Sequence, residues 1–265
     1  MLQSAAIGLT KNSSRKPEPS VDNLGTIQLN KNATIEFRRL STGRTIAVVD
    51  EFLAAPDDLR AYAVAQASEF FTPEKSYPGL LLDIDAHPMT DIYRFIRFEL
   101  GPRFSFLRGG AQFSSMLSMA TLQPDQLSNL QRLCHSDPPA TGKRANFAFV
   151  LYLFKNEQLG GTGFYRWKER DAITEATALE NEDPDKALAF LMERFPTFNN
   201  PPCYMTESTE IAEQLDVVPA KYNRLIFYSG DIPHSAQILS PEFLSSDIND
   251  GRLTLNCFAN VRPKY

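Results

Sequence analysis

Apolar and polar residues change rhythm twice along this chain. Thr26–Leu29, Thr34–Arg38 and Arg44–Val49 carry β-branched side chains in alternation and read as short strands. The spacing then turns helical. Pro56, with Asp57 and Asp58 directly after it, is a helix start: proline suits the first helical position, and acidic groups favour the positive end of the helix dipole. Leu59, Tyr62, Ala63, Gln66 and Phe70 continue at near-helical spacing. A second helix is predicted from about Thr90 to Leu100, striped by Ile92, Phe95, Ile96 and Leu100, with Gly101-Pro102 as its stop.

From Ala111 the β rhythm returns. Ala111–Thr121 and Leu130–His135 flank a polar loop, and Pro138-Pro139 blocks any strand beyond Asp137. Asn146–Phe154, NFAFVLYLF, is apolar almost throughout, as expected of a strand buried on both faces. Gly163–Trp167 is another strand. A long interruption follows, in which Asp183-Pro184 opens a helix striped by Leu188, Leu191, Met192 and Phe195. Asp216–Val218, Arg224–Tyr228, His234–Leu239 and Arg252–Ala259 resume as strands.

The order predicts a mainly β protein with α content. About eight β segments in the second half, antiparallel and in two sheets, suggest a jelly roll; other β-sandwiches share that periodicity. Residues 1–25 are expected to be a disordered tail and 26–265 a single domain, with a helical insert over about 168–215.

Composition narrows the function. The net charge of -5 leaves no electrostatic footprint for nucleic acid; the basic cluster Lys11 to Lys16 falls in the tail. No apolar run approaches a membrane span, and the first residues lack the pattern of a secretory signal. Cys134, Cys203 and Cys257 are scattered and odd in number, which suits reduced thiols and a cytoplasmic protein.

The candidate chemistry starts at His135-Ser136-Asp137. On a strand, residues i and i+2 share a face, so His135 and Asp137 can aim at one point. His234 opens a later strand after a tight turn and can complete two nitrogens and one oxygen, a ligand set that suits Fe(II) and leaves positions open. Surface His-x-Asp tripeptides have the same spacing without a metal. His87 has no partner pattern and reads as a loop or helix-entry residue. Cys134 should point away from both ligands, into core. Arg252, Thr254 and Asn256 share one face of the last strand. A buried arginine needs a partner, either a structural carboxylate or the carboxylate of a ligand.

The order of these segments is more specific than any one of them. HSD, then NFAFVLYLFKNEQLGGTGFYRW, then PAKYNRLIFYSGDIPHS, then GRLTLNCFA resembles the Fe(II)/2-oxoglutarate-dependent dioxygenases, most closely their prolyl-4-hydroxylase-like branch. The earlier VVDEFLAAPDDLR is similar to the segment before the core in that branch. The resemblance implies a double-stranded β-helix core. It implies Fe(II) held by His135, Asp137 and His234, 2-oxoglutarate as cosubstrate and O2 as oxidant. Arg252 would pair with the far carboxylate of 2-oxoglutarate, helped by Thr254 and by Tyr152. The product side is succinate, CO2 and an oxidised substrate; because Asp137 is present, the resemblance favours hydroxylation over halogenation. The substrate stays open among an amino acid, a peptide and a small metabolite. The chain departs from the branch in a longer spacing between His234 and Arg252 and in the length of the insert. The insert is expected to border the iron mouth, with Phe195-Pro196-Thr197-Phe198 as its edge. The competing expectation is a non-catalytic, cupin-like jelly-roll binder.

Overall fold

A computed structural model describes residues 24–74, 77–104, 111–138 and 144–262. The predicted tail, except for its last two residues, lies outside the described residues.

The chain runs β1 (Thr34–Arg39), β2 (Thr45–Asp50), α1 (Pro56–Ala65), β3 (Gly79–Ile84), α2 (Thr90–Phe95), β4 (Gln112–Ala120), β5 (Ala145–Tyr152) and β6 (Thr162–Trp167). It continues with α3 (Arg170–Glu182), α4 (Pro184–Arg194), β7 (Ala212–Val218), β8 (Leu225–Ser229), β9 (His234–Ala236) and β10 (Arg252–Val261). Seven strands form one sheet in the order β1-β2-β8-β5-β10-β4-β3, and three form a second in the order β7-β6-β9. Every pairing is antiparallel. The fold is therefore mainly β with α content, two antiparallel sheets in a jelly-roll-like arrangement.

Period two decides where the core sits. Along β5 and just beyond it, Phe147, Phe149, Leu151 and Leu153 enter one apolar cluster, together with Leu225 and Phe227 of β8 and Leu253, Leu255 and Cys257 of β10. Helices α1 and α2 cover that face with Leu59, Ala63 and Ile92. The alternate residues Ala148, Tyr152, Ile226 and Tyr228 turn the other way and meet Phe164 and Val218 of the small sheet. The run NFAFVLYLF is apolar because both of its faces are covered, as the sequence predicted. Each large apolar side chain so buried contributes about 1.5–3 kcal/mol relative to exposure.

Several elements depart from expectation. Leu130–His135 is not a strand: Leu130–Arg132 forms a short 3-10 turn, and only His135 pairs, with His234. In a 3-10 turn residues three apart eclipse. Leu130 and Leu133 therefore lie together against Ala172, Ala176 and Leu191 of α3 and α4. Of Thr26–Leu29, only Leu29 pairs, in a single bridge to Leu53. The second helix does not stop at Gly101-Pro102. It widens to a π-helical turn over Ile96–Leu100 and ends as a 3-10 turn, Gly101–Phe104, while Ile92, Ile96 and Leu100 stay buried. Two further elements carried no clear signal. Strand β3 is an edge strand on β4. Helix α3 buries mainly alanines, Ala172 and Ala176, so its stripe is faint. No helix among the described residues is long and apolar enough to cross a membrane.

Candidate metal centre and its cavity

His135 and His234 are brought together by backbone. The N–H of His135 donates to the His234 carbonyl at 2.9 Å, and the N–H of His234 returns a bond to the His135 carbonyl at 2.8 Å. This bridge adds residue 135 to the small sheet beside β9. Two residues on, the Asp137 N–H donates to the Gly230 carbonyl at 2.8 Å. Asp137 thus leans on the turn between β8 and β9, and the same turn aims His234.

The side chains converge. Asp137 Oδ1 lies 3.9 Å from His135 Nε2 and 3.7 Å from His234 Nε2. One ligand atom from each of the three residues fits within a 4.8 Å spread. His234 Nδ1 sits 2.9 Å from the Ile232 carbonyl. A carbonyl can only accept, so Nδ1 carries the proton and Nε2 keeps its lone pair toward Asp137. Burial pushes His234 down to about 4, and loss of surrounding water together with the neighbouring His234 ring pushes the more exposed His135 down as well. Burial also pushes Asp137 up to about 6. At neutral pH the site therefore offers two neutral imidazoles and one carboxylate.

The Asp137 carboxylate is only half satisfied. Among the described residues its Oδ2 is buried with no hydrogen-bond partner. Gly230 faces it so closely that a Cβ there would lie 2.6 Å from Oδ2. A buried, unpaired carboxylate oxygen beside two free imidazole lone pairs is the donor set a divalent cation would complete. His135, Asp137 and His234 could hold such an ion.

All three line one cavity of about 540 Å³, between the inner face of the large sheet and the small sheet. Arg252 lines it too and is 4 % exposed. Its Nε donates to the Leu159 carbonyl at 2.9 Å, and its Nη2 to the Gly160 and Gly161 carbonyls at 3.1 and 2.8 Å. Gly160 has φ +78, and a Cβ on it would come within 1.7 Å of the Gln237 carbonyl, so glycine is required at the turn that presents these acceptors. Among the described residues no carboxylate pairs with Arg252; carbonyls orient the guanidinium but leave its charge uncompensated. Thr254 points the same way, with its hydroxyl 3.0 Å from Ser118 Oγ.

Tyr152 is close to this corner but does not line the cavity. Its hydroxyl donates to Thr162 Oγ1 at 2.8 Å, and Thr162 is the residue that faces the space. Cys134 is 2 % exposed and packs with Tyr165, Met205 and Ala212, away from the cluster as expected. His87 is exposed and its carbonyl accepts from Thr90 at the start of α2. The expected edge of the insert is elsewhere: Phe195 and Phe198 are buried in the cluster that holds α3, α4 and Leu133. The apolar stripe of α4 needs a partner, and Leu133, two residues before His135, supplies part of it. The insert reaches the cavity through Tyr204 instead, whose hydroxyl is tied to the Leu122 carbonyl at 2.7 Å.

Sequence reasoning passed over Tyr77, Ser118, Thr162, Tyr204 and Tyr228, which all belong to or border the cavity. Ser118 was readable: it sits opposite Thr254 in the β4–β10 register, on the face that period two assigns to the cavity. Tyr228 was readable in the same way, two residues from Ile226 on the inner face of β8, whereas Tyr77 and Tyr204 sit on loops and Thr162 at a strand end, where periodicity carries no signal.

The model of a protein family described as "Family of unknown function (DUF6445)" matches residues 31–259. The chain belongs to that family. No curated protein matches the chain. Among solved structures, HygX from Streptomyces hygroscopicus, with nickel and 2-oxoglutarate bound, aligns at 9% identity and a TM-score of 0.41, covering 82% of each chain. EvdO2 from Micromonospora carbonacea var. aurantiaca, complexed with 2-oxoglutarate, aligns at 10% identity and a TM-score of 0.36, covering 83% of this chain and 87% of its own.

Proposed function

We propose that this member of the family is an Fe(II)- and 2-oxoglutarate-dependent oxygenase of the prolyl-4-hydroxylase-like branch, acting in the cytoplasm on an amino acid, a peptide or a small metabolite. The observation that carries the reading is the pairing, in one cavity, of two unmet electrostatic demands. The His135/Asp137/His234 cluster has a buried carboxylate oxygen without a partner, and Arg252 is a buried cation without a carboxylate. A metal ion answers the first, and a dicarboxylate that also reaches the metal answers the second.

We read the core as a double-stranded β-helix. Four strands, β4, β10, β5 and β8, stand side by side in the large sheet, facing β9, β6, β7 and the His135 bridge. In this reading residues 26–265 act as one domain.

Each residue has a distinct task. His135, Asp137 and His234 hold Fe(II), and the Ile232 carbonyl keeps the His234 tautomer that does so. Arg252 binds the far carboxylate of 2-oxoglutarate with the part of its guanidinium not spent on Leu159, Gly160 and Gly161. Thr254 adds a hydroxyl to that corner. Tyr152 acts through Thr162 by orienting its hydroxyl. The apolar walls, among them Met116, Val150 and Phe258, keep water from the reacting atoms. When bound, the iron would supply oxidation of a substrate C–H bond by O2, coupled to decarboxylation of 2-oxoglutarate to succinate and CO2.

The test is metal binding first and turnover second. Titrated without oxygen, the wild type should take up one Fe(II), and His135→Ala and Asp137→Ala should bind it at least about a hundredfold more weakly, the upper range for losing a supporting group at such a site. With O2 admitted, succinate should form from 2-oxoglutarate only in the wild type. Fe(II) uptake that is equal in all three proteins would sink the assignment. Tight binding of a dicarboxylate with no succinate formed would favour a jelly-roll binder.

A further inference from the structure

Tyr228 stands out among the phenols of the cavity. It lines the space yet is only 1 % exposed. Its ring is wedged edge-on between His234, at 4.7 Å between centroids, and Phe164, at 5.0 Å. Tyr152 and Tyr204 each donate their hydroxyls to protein acceptors. The Tyr228 hydroxyl bonds to no described residue. Tyr228 lines the cavity, so its hydroxyl is left for whatever occupies that space.

The register locates that partner. Tyr152 stands opposite Thr254, at the Arg252 end of the inner face. Tyr228 stands opposite Ala148, four residues further along β5 and about 13 Å away at the usual rise. Tyr228 therefore belongs to the His/Asp/His end. Its ring packs on His234, and it lines the same cavity as Arg252, so it stands on the cluster side of the space the two ends share. A phenol carries its proton at neutral pH and can donate.

We propose that the Tyr228 hydroxyl donates a hydrogen bond to an oxygen of the 2-oxo acid lying between the His135/Asp137/His234 cluster and Arg252, and fixes the metal-facing end of that acid. The inference rests on the oxygenase reading and adds a contact at the end opposite Arg252. Arg252 secures one carboxylate and leaves the acid free to swing. A second, rigid donor at the other end removes that freedom, because the Tyr228 ring is already clamped between two rings and loses little on binding.

Tyr228→Phe tests it, since the ring and its packing on His234 and Phe164 remain. Calorimetric titration without oxygen, first with Fe(II) and then with 2-oxoglutarate, separates the two binding steps. The variant should bind Fe(II) as the wild type does and 2-oxoglutarate roughly ten- to a hundredfold more weakly, the range for a hydrogen bond to a charged group. It should melt no lower than the wild type, because the hydroxyl has no partner to lose in the free protein. Unchanged 2-oxoglutarate affinity would overturn the proposal. So would a parallel loss of Fe(II) affinity, which would make the hydroxyl a support for Asp137 instead. If wild-type protein loaded with Fe(II) takes up no 2-oxoglutarate at all, the oxygenase reading fails before Tyr228 is in question.

Discussion

The two faces of the large sheet are built to different ends. On β10, Leu253, Leu255 and Cys257 face outward into the cluster covered by α1 and α2, where everything is apolar. Arg252, Thr254 and Asn256 face inward to the cavity. The outward face is satisfied by packing alone. Among the described residues that inward face and the Asp137 segment across the cavity keep three polar oddities: an arginine with no acid, a carboxylate oxygen with no donor, and an Asn256 Oδ1 with no partner. Groups like these lower the stability of the free protein. The difference teaches that the outer face holds the fold, while the inner face is complete only with a ligand in place.

The comparison breaks most sharply at Arg252. Arg252→Ala should leave the fold standing but weaken 2-oxoglutarate binding by about 2–5 kcal/mol, the cost of removing one member of a buried charge pair. Arg252→Lys should recover only part, since an ammonium keeps the charge but loses the planar fork. Calorimetry on the iron-loaded protein reads both. Normal binding in Arg252→Ala would return the arginine to a purely structural role.

Three positions along the strand, on the other face, the expected effect changes kind. Leu255 is fully buried on the outer face. Leu255→Ala should cost about 2–5 kcal/mol of stability by leaving a cavity. Below the melting transition, its Fe(II) and 2-oxoglutarate affinities should match the wild type. Denaturant melts paired with titrations check this. If Leu255→Ala weakened ligand binding more than it weakened the fold, the two faces would not be separable as argued.

How much of this was legible in the sequence follows the same divide. The central strands were legible: β5 as a continuous apolar run because both of its faces are covered, and β10 because Arg252, Thr254 and Asn256 alternate with Leu253, Leu255 and Cys257. The convergence of His135, Asp137 and His234 came from the order of motifs, yet the strand expected to carry His135 does not exist. What holds His135 is a single backbone bridge, backed by a 3-10 turn packed on α3 and α4, and contacts across such distances leave no local pattern. For the same reason Phe195 and Phe198 were misplaced at the mouth: an apolar stripe says that a helix packs, not on what. Gly230 gave no hint of its close approach to Asp137, since its importance comes from a residue far away in the chain.

The last contrast is between two arginines. Arg252 is buried without an acid. Arg224, just before β8, meets Asp50 at the end of β2 through two nitrogens, and Lys221 joins the same carboxylate at 3.1 Å. The Arg224 hydrogen bond, against the upward push of burial and with help from Lys221, holds Asp50 down to about 2 from an ordinary 3.8. The sign follows from linkage: a carboxylate with a depressed folded pKa adds stability above its unfolded value, and that stability fades as pH falls toward the folded one. Asp50 sits at the rim of the sheet, so water screens the pair and its worth is about 1 kcal/mol or less. Asp50→Asn should therefore lower stability slightly at pH 5–7, and the gap from the wild type should shrink between about pH 4 and 2, the span set by the two pKa values. Urea midpoints across that range measure it. A gap that stays constant down to the acid limit would mean the pair contributes shape and not charge, and the outer surface would then hold no electrostatic counterpart to the arginine inside.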